Sequence, residues 1–224
     1  MPQPESATLS EDTPRSTHER FFADPARARL AGLALLGVVA LVAVLVPAEP
    51  LALDRRWSEA MRGVESPLLE HAALVFNALG SGLGWALSLV AVGAVLLLAR
   101  RRLAFIAFAV AEFAASLIPS LLKALTGRPR PPDGLVHPVG SSFPSGHTTY
   151  AGATCVALVL LFTEPGPRRR PWWTVATLGI VGMAWSRTYL QVHWLSDVVA
   201  GALLGIGIAL LVFGSAQLLG RHSA

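Results

Sequence analysis

His147, His193 and Asp197 offer two acid–base groups and a carboxylate to orient one of them. Lys123, Arg130 and Arg187 offer a cationic frame around them, and Lys123 is the only lysine among eighteen basic residues. His193 and Asp197 are four apart, a spacing that puts both on one helix face if that turn is helical. A carboxylate on one ring nitrogen fixes the tautomer and leaves the other nitrogen free as base or nucleophile. In "FPSGHT", Pro144 suits a helix start, and Ser145 and Gly146 would present backbone N–H groups at a helix N-terminus, where anions bind. Three cations, less Asp197 and plus a protonated His147, leave a surplus that fits a phosphate monoester of about −1.5 to −2 charge.

Each group also has a plainer reading. A lone lysine at a helix end snorkels to the interface, "PSGH" alone is a capped helix start, and a His–Asp pair can simply tie two helix ends together. The three clusters count because all three fall on one side of the same set of apolar runs.

Those runs are the elements that must position the chemistry. The chain is 53% hydrophobic and 14% charged, against about 25% charged in average chains, and its mean hydropathy is +0.55. About 20 apolar residues in a helix cross a hydrocarbon core. Six stretches approach that length: 28–46, 82–99, 103–124, 145–163, 172–188 and 195–217. The segment 67–79, "PLLEHAALVFNAL", is too short and polar to span and reads as a helix lying in the interface. The expected fold is therefore all-α, a polytopic membrane bundle of six transmembrane helices with an interfacial helix between the first and second. Eleven arginines fall on the N-terminal side of this arrangement, which predicts both termini inside. Trp85, Trp185 and Trp194 fall near outer helix ends, as an aromatic belt would. Residues 1–26 are polar, carry no convincing signal peptide and read as a disordered cytoplasmic tail. Residues 27–219 form one six-span domain, and 220–224 a short cytoplasmic tail.

The net charge of +4 sits in short arginine clusters between apolar runs. A nucleic-acid partner would need a basic face on a soluble domain, so none is expected. The single cysteine, Cys155, excludes an intrachain disulfide and multi-thiolate zinc sites. "GALLG", Gly201 to Gly205, predicts close helix packing rather than dimerisation. Glu112, inside the third span, predicts a buried hydrogen bond to a neighbouring helix. Arg128 is either a phosphate ligand or a contact for a lipid headgroup at the rim, and the rim is the reading adopted.

Taken in order, the clusters resemble the three signature motifs of the type-2 phosphatidic acid phosphatase superfamily. Lys-x6-Arg-Pro is matched by Lys123, Arg130 and Pro131, and Pro-Ser-Gly-His by Pro144 to His147. Ser-Arg-x5-His-x3-Asp is matched by Ser186, Arg187, His193 and Asp197. The resemblance implies metal-independent hydrolysis of a phosphate or pyrophosphate on a membrane lipid, with no cofactor and no metal. It implies that His193 attacks phosphorus to form a phosphohistidine, with Asp197 orienting it. By the same resemblance His147 would protonate the leaving oxygen and then help activate water, and Lys123, Arg130, Ser145, Gly146 and Arg187 would bind the phosphoryl oxygens. Two histidines with opposite protonation demands predict a bell-shaped pH profile.

Two other functions fit parts of the pattern. A transporter or flippase of a phosphorylated lipid would use the spans and cations, but needs no nucleophile. A haloperoxidase-like enzyme would hold vanadate in the same pocket, but the apolar spans argue against it. Phosphatidic acid, phosphatidylglycerol phosphate and an isoprenyl pyrophosphate all satisfy the charge argument. The arginine-over-lysine bias and alanine richness suggest a bacterial source. The expected location is the cytoplasmic membrane with the site facing outward.

Overall fold

In the computed structural model, residues 19–64 and 66–222 are described. They form eight α-helices: α1 (Pro25–Leu45), α2 (Ala52–Arg62), α3 (Pro67–Leu79), α4 (Gly82–Leu98), α5 (Arg102–Thr126), α6 (Gly146–Phe162), α7 (Arg170–Tyr189) and α8 (Leu195–His222). There is no strand among the described residues. Side-chain caps fix several starts. Asp24 accepts from the Arg27 amide, Ser66 from Leu69 and Ser81 from Gly84, each satisfying a donor the helix leaves orphaned. Helices occupy all six predicted apolar stretches, and α3 covers the predicted interfacial segment.

By length and hydropathy α1, α5 and α8 can each cross a membrane. Helices α3 and α4, bent by 58° at their junction, together make a fourth candidate. Large apolar side chains such as Val44, Leu98 and Leu125 point outward, a surface suited to lipid.

Helix α8 is central, packed along α1 and α6, while α6 also contacts α5 and α7. The α6–α8 seam depends on glycine. A Cβ on Gly205 would sit 2.0 Å from the Thr149 carbonyl oxygen, and one on Gly201 would sit 2.5 Å from that of Ser145. "GALLG" therefore serves close packing within the chain. Glu112 is fully buried and accepts a 2.8 Å bond from the Thr154 hydroxyl, the neighbour-helix partner expected for it.

Three expectations need correction. The region expected to be a tail divides at residue 19: residues 1–18 lie outside the described residues, but the segment after them is packed. Phe21 is fully buried edge-on to Phe213, and the Phe21 and Phe22 amides both donate to Gln217 Oε1. An aromatic pair gains too much by burial to stay in water. At the other end α8 continues through His222, so Gly220 begins no tail. Trp194 is not a belt residue: it is buried, and its indole N–H donates to the Pro129 carbonyl at 2.9 Å. Helix α2 was not anticipated. Its buried residues are polar, Asp54 and Ser58, while Leu51 and Leu53 beside them are exposed.

Candidate active site

The C-terminal ends of α5 and α7 and the N-terminal ends of α6 and α8 converge. Lys123 sits in the last turn of α5. Gly127 follows with φ +59° and closes the helix with a bond from its amide to the Lys123 carbonyl. This left-handed cap, natural for glycine, turns the chain into the loop that carries Arg128 and Arg130. Ser145 caps α6, so Gly146 and His147 are its first residues and Pro144 stands one residue before the cap. Arg187 lies in the last turn of α7.

A cavity of about 340 Å³ is lined by Lys123, Arg130, Gly146, His147, Arg187 and His193, with Asn77 and His137 at its walls. All three sequence clusters meet there. A second cavity of about 180 Å³ shares Lys123, Gly146 and His147 and extends along α4 and α5 past Trp85 and Pro119.

The cations differ in how they are held. Lys123 Nζ donates to the Ser141 carbonyl at 2.9 Å. Arg130 donates to the Gly140, Ser141 and Val192 carbonyls, and its Nη1 lies 3.2 Å from His193 Nε2. Arg187 donates from Nη1 to Asn77 Oδ1 at 2.8 Å, but its Nε and Nη2 are buried with no partner. Buried guanidinium donors left unpaired are costly, and the Arg187 side chain lines the same cavity as two more cations.

His193 and Asp197 do not share a helix face, because His193 lies outside α8. Trp194 is the cap residue: its amide donates to Asp197 Oδ2 at 2.9 Å, and its carbonyl accepts from the Asp197 amide. The carboxylate is thereby bent back towards His193, with Oδ2 3.6 Å from Nδ1. That is beyond hydrogen-bond length, and such contacts often tighten only with substrate bound. Burial holds the His193 ring well below the ordinary histidine range, at about 4, although Asp197 pulls it upward. The imidazole is neutral at pH 7. The His147 ring meets the Asn77 carbonyl with Nε2 at 3.3 Å. A carbonyl only accepts, so this contact places a proton on that nitrogen.

Two predicted ligands are placed elsewhere. Ser145 is fully buried. Its hydroxyl oxygen accepts from the Thr148 amide and hydroxyl, and its own amide donates to the Asp197 carbonyl at 3.0 Å. It joins α6 to α8 beneath the cavity rather than lining it. Arg128 is not at the rim. It is 1% exposed and lies between two carboxylates, Asp197 Oδ1 at 2.6 Å and Asp54 Oδ2 at 2.8 Å. Charges left unpaired this deep would be strongly penalised, so the pairing explains the burial.

Sequence reasoning missed Asn77, Asp54, Ser58 and Gln191. Gln191 adopts φ +53°, uncommon for a side chain of its size. It is held by the Ser58 hydroxyl at 2.6 Å and by its own bond to the Thr188 carbonyl.

Helix ends gather cations and two histidines around one cavity in an apolar all-helical protein with candidate membrane spans. The chain belongs to the PAP2 superfamily, whose model matches residues 104–221, a segment containing all three motifs. It is 32% identical over 163 residues to a decaprenylphosphoryl-5-phosphoribose phosphatase of Mycobacterium tuberculosis, covering 68% of this chain and 86% of that protein. It is 39% identical over 75 residues to an undecaprenyl-diphosphatase of Sulfolobus acidocaldarius, covering 33% of each chain. The match to a lipid A 1-phosphatase of Porphyromonas gingivalis spans only 20% of that protein, so this chain covers a third or less of these last two relatives. A transmembrane PAP2-type phosphatidylglycerolphosphate phosphatase from Bacillus subtilis superposes with a TM-score of 0.71 at 25% identity, over 84% of this chain and 97% of that one.

Proposed function

We propose that this protein hydrolyses a phosphate ester or anhydride carried on a membrane lipid, through a phosphohistidine on His193. The observation that carries the reading is Arg187. Its side chain lines the same cavity as Lys123, Arg130 and a neutral His193, and two of its buried donors have no partner. A phosphoryl group would satisfy those donors, and the Gly146 amide at the start of α6 adds a further donor.

Arg130 can only donate, so at 3.2 Å it selects the tautomer with Nε2 unprotonated and the hydrogen on Nδ1, towards Asp197. Nε2 attacks phosphorus and a P–N bond forms. The P–O bond to the lipid breaks, and His147 gives its proton to the leaving oxygen. Water then attacks the phosphohistidine with His147 taking its proton, the P–N bond breaks, and inorganic phosphate leaves with His193 restored. Catalysis rests on positioning and on charge held at the phosphoryl oxygens.

The wider arrangement belongs to the same proposal. Helices α1, α4, α5, α6, α7 and α8 serve as six spans, with both termini in the cytoplasm and the site facing outward from a bacterial inner membrane. The arginine asymmetry of the sequence supports this orientation. The cavity along α4 and α5 supports a lipid substrate, since Trp85, Ala115 and Pro119 on its wall suit a chain leading from the phosphate.

The test is phosphate release by purified protein from a panel of phosphatidic acid, phosphatidylglycerol phosphate and an isoprenyl pyrophosphate, with chelator present. Release by the wild type and none by His193→Ala is expected. Binding without release would favour a transporter, and strong inhibition by chelation would contradict a metal-independent route.

A further inference from the structure

Behind His193 lies a chain of charges reaching a helix that none of the sequence motifs touches. Asp197 faces His193 with Oδ2 and binds Arg128 Nη1 with Oδ1. Arg128 presents its other terminal nitrogen, Nη2, to Asp54 on α2. Asp54 also accepts from the Ser196 amide at 2.8 Å and the Ser196 hydroxyl at 2.9 Å, at the start of α8. Asp54 and Arg128 are each 1% exposed, and Asp197 is fully buried.

The charge count is informative. Arg128 and Asp197 alone would be neutral, and the cation would cancel the carboxylate's field at His193. Asp54 occupies the second side of the guanidinium fork and returns the group to a net charge of −1. At low effective dielectric this difference is felt across several ångströms. The remaining charges near the ring, Lys123 and Arg130, are positive and oppose imidazolium character. As Nε2 bonds to phosphorus, positive charge develops on the ring, and the net negative group behind it stabilises that change.

We propose that Asp54 is a positioning residue for the reaction, acting through Arg128 to keep the carboxylate behind His193 electrostatically effective. The proposal rests on the phosphohistidine reading above. Asp54 touches neither the cavity nor a substrate, so its effect belongs in kcat rather than KM.

The test uses purified full-length protein and the variants Asp54→Asn, Arg128→Gln and the double variant. Asparagine retains a side-chain oxygen to cap Ser196. With Arg128 present, Asp54→Asn is expected to lower kcat about 10–100-fold, the range for supporting residues behind a reactive group, with KM within about twofold. With Arg128→Gln in place, the same substitution is expected to change kcat by less than about twofold, because the guanidinium that links Asp54 to Asp197 is gone. This loss of effect is what a merely structural role through the Ser196 contacts would not give. Equal or additive losses in both backgrounds, or a parallel rise in KM, would overturn the proposal. If Asp54→Asn alone does not fold, the comparison of Arg128→Gln with the double variant still decides.

A second readout needs no substrate and so separates this proposal from the catalytic one. In 15N-histidine-labelled protein, Asp54→Asn should move the His193 Nδ1–H proton resonance upfield as its carboxylate partner weakens. An unchanged resonance would contradict the relay even if the wild type hydrolyses lipid phosphates. A shifted one would support it even if no lipid in the panel is hydrolysed.

Discussion

Arg130 Nη1 stands 3.2 Å from His193 Nε2. A guanidinium has no acceptor, so the nitrogen facing the cavity is the one that carries the lone pair. In the proposed reaction Arg130 does two things: it holds the ring in its nucleophilic tautomer and presents charge where the phosphoryl group would arrive. Arg130→Lys loses the fork that spans the Gly140, Ser141 and Val192 carbonyls, so it should lower kcat/KM about 10²-fold despite keeping the charge. Steady-state kinetics on the preferred lipid checks this.

Arg187 should be equally intolerant. Its Nη1 is committed to Asn77, and only Nε and Nη2 remain for the substrate. Arg187→Lys removes both remaining donors together, and a loss of about 10²–10³-fold in kcat is expected, the scale for a single transition-state donor. Asn77→Ala should cost less and raise KM, since the guanidinium keeps its charge but loses its anchor.

The pH dependence follows from His193. Burial lowers its proton affinity from the ordinary 6.5 to about 4. Activity should therefore persist below pH 6 and fall only as pH drops through about 4. The same shift acts on folding. Between 6.5 and about 4 the unfolded chain binds more protons than the folded one, so stability is fully present above 6.5 and declines as pH falls through that window. Profiles of kcat/KM and of thermal unfolding against pH measure the two effects. An acid limb centred near 6.5 would contradict a buried neutral ring.

The glycine seam sets the distance between the two halves of the site. Gly205→Ala puts a Cβ 2.0 Å from the Thr149 carbonyl oxygen and must push α6 from α8. A stability loss of about 1–3 kcal/mol is expected from overpacking. His147 rides on α6 and Asp197 on α8, so activity should fall about 10²-fold for a displacement near 1 Å. Thermal unfolding and phosphate release together test whether the seam is also a catalytic spacer.

Much of this was legible because hydropathy and motif spacing are local. The predicted stretch 103–124 lies within α5, Arg102–Thr126, and Lys123, Gly146, His147, Arg187 and His193 do line one cavity. What escaped depends on partners far away in the chain. Asp54 meets Ser196 across 142 positions and Ser58 meets Gln191 across 133. A carboxylate in "ALDRRWSEAMR" looks solvent-facing until the start of α8 is seen to lie against it. Arg128 was misplaced for a related reason: its cationic neighbours suggested phosphate, and its two acidic partners come from other segments. The His193–Asp197 spacing was right for contact but wrong in its cause, since a helix cap rather than a shared face joins them.

The central claim is a covalent bond between His193 and phosphorus. It is tested most directly by mixing the wild-type protein with substrate, quenching in alkali within the first turnover and mapping phosphorylated peptides by mass spectrometry. Rapid quenching should catch the phosphoryl group on the peptide containing His193. Phosphate release with no phosphorylated histidine at any time, or with the label on another residue, would contradict the account.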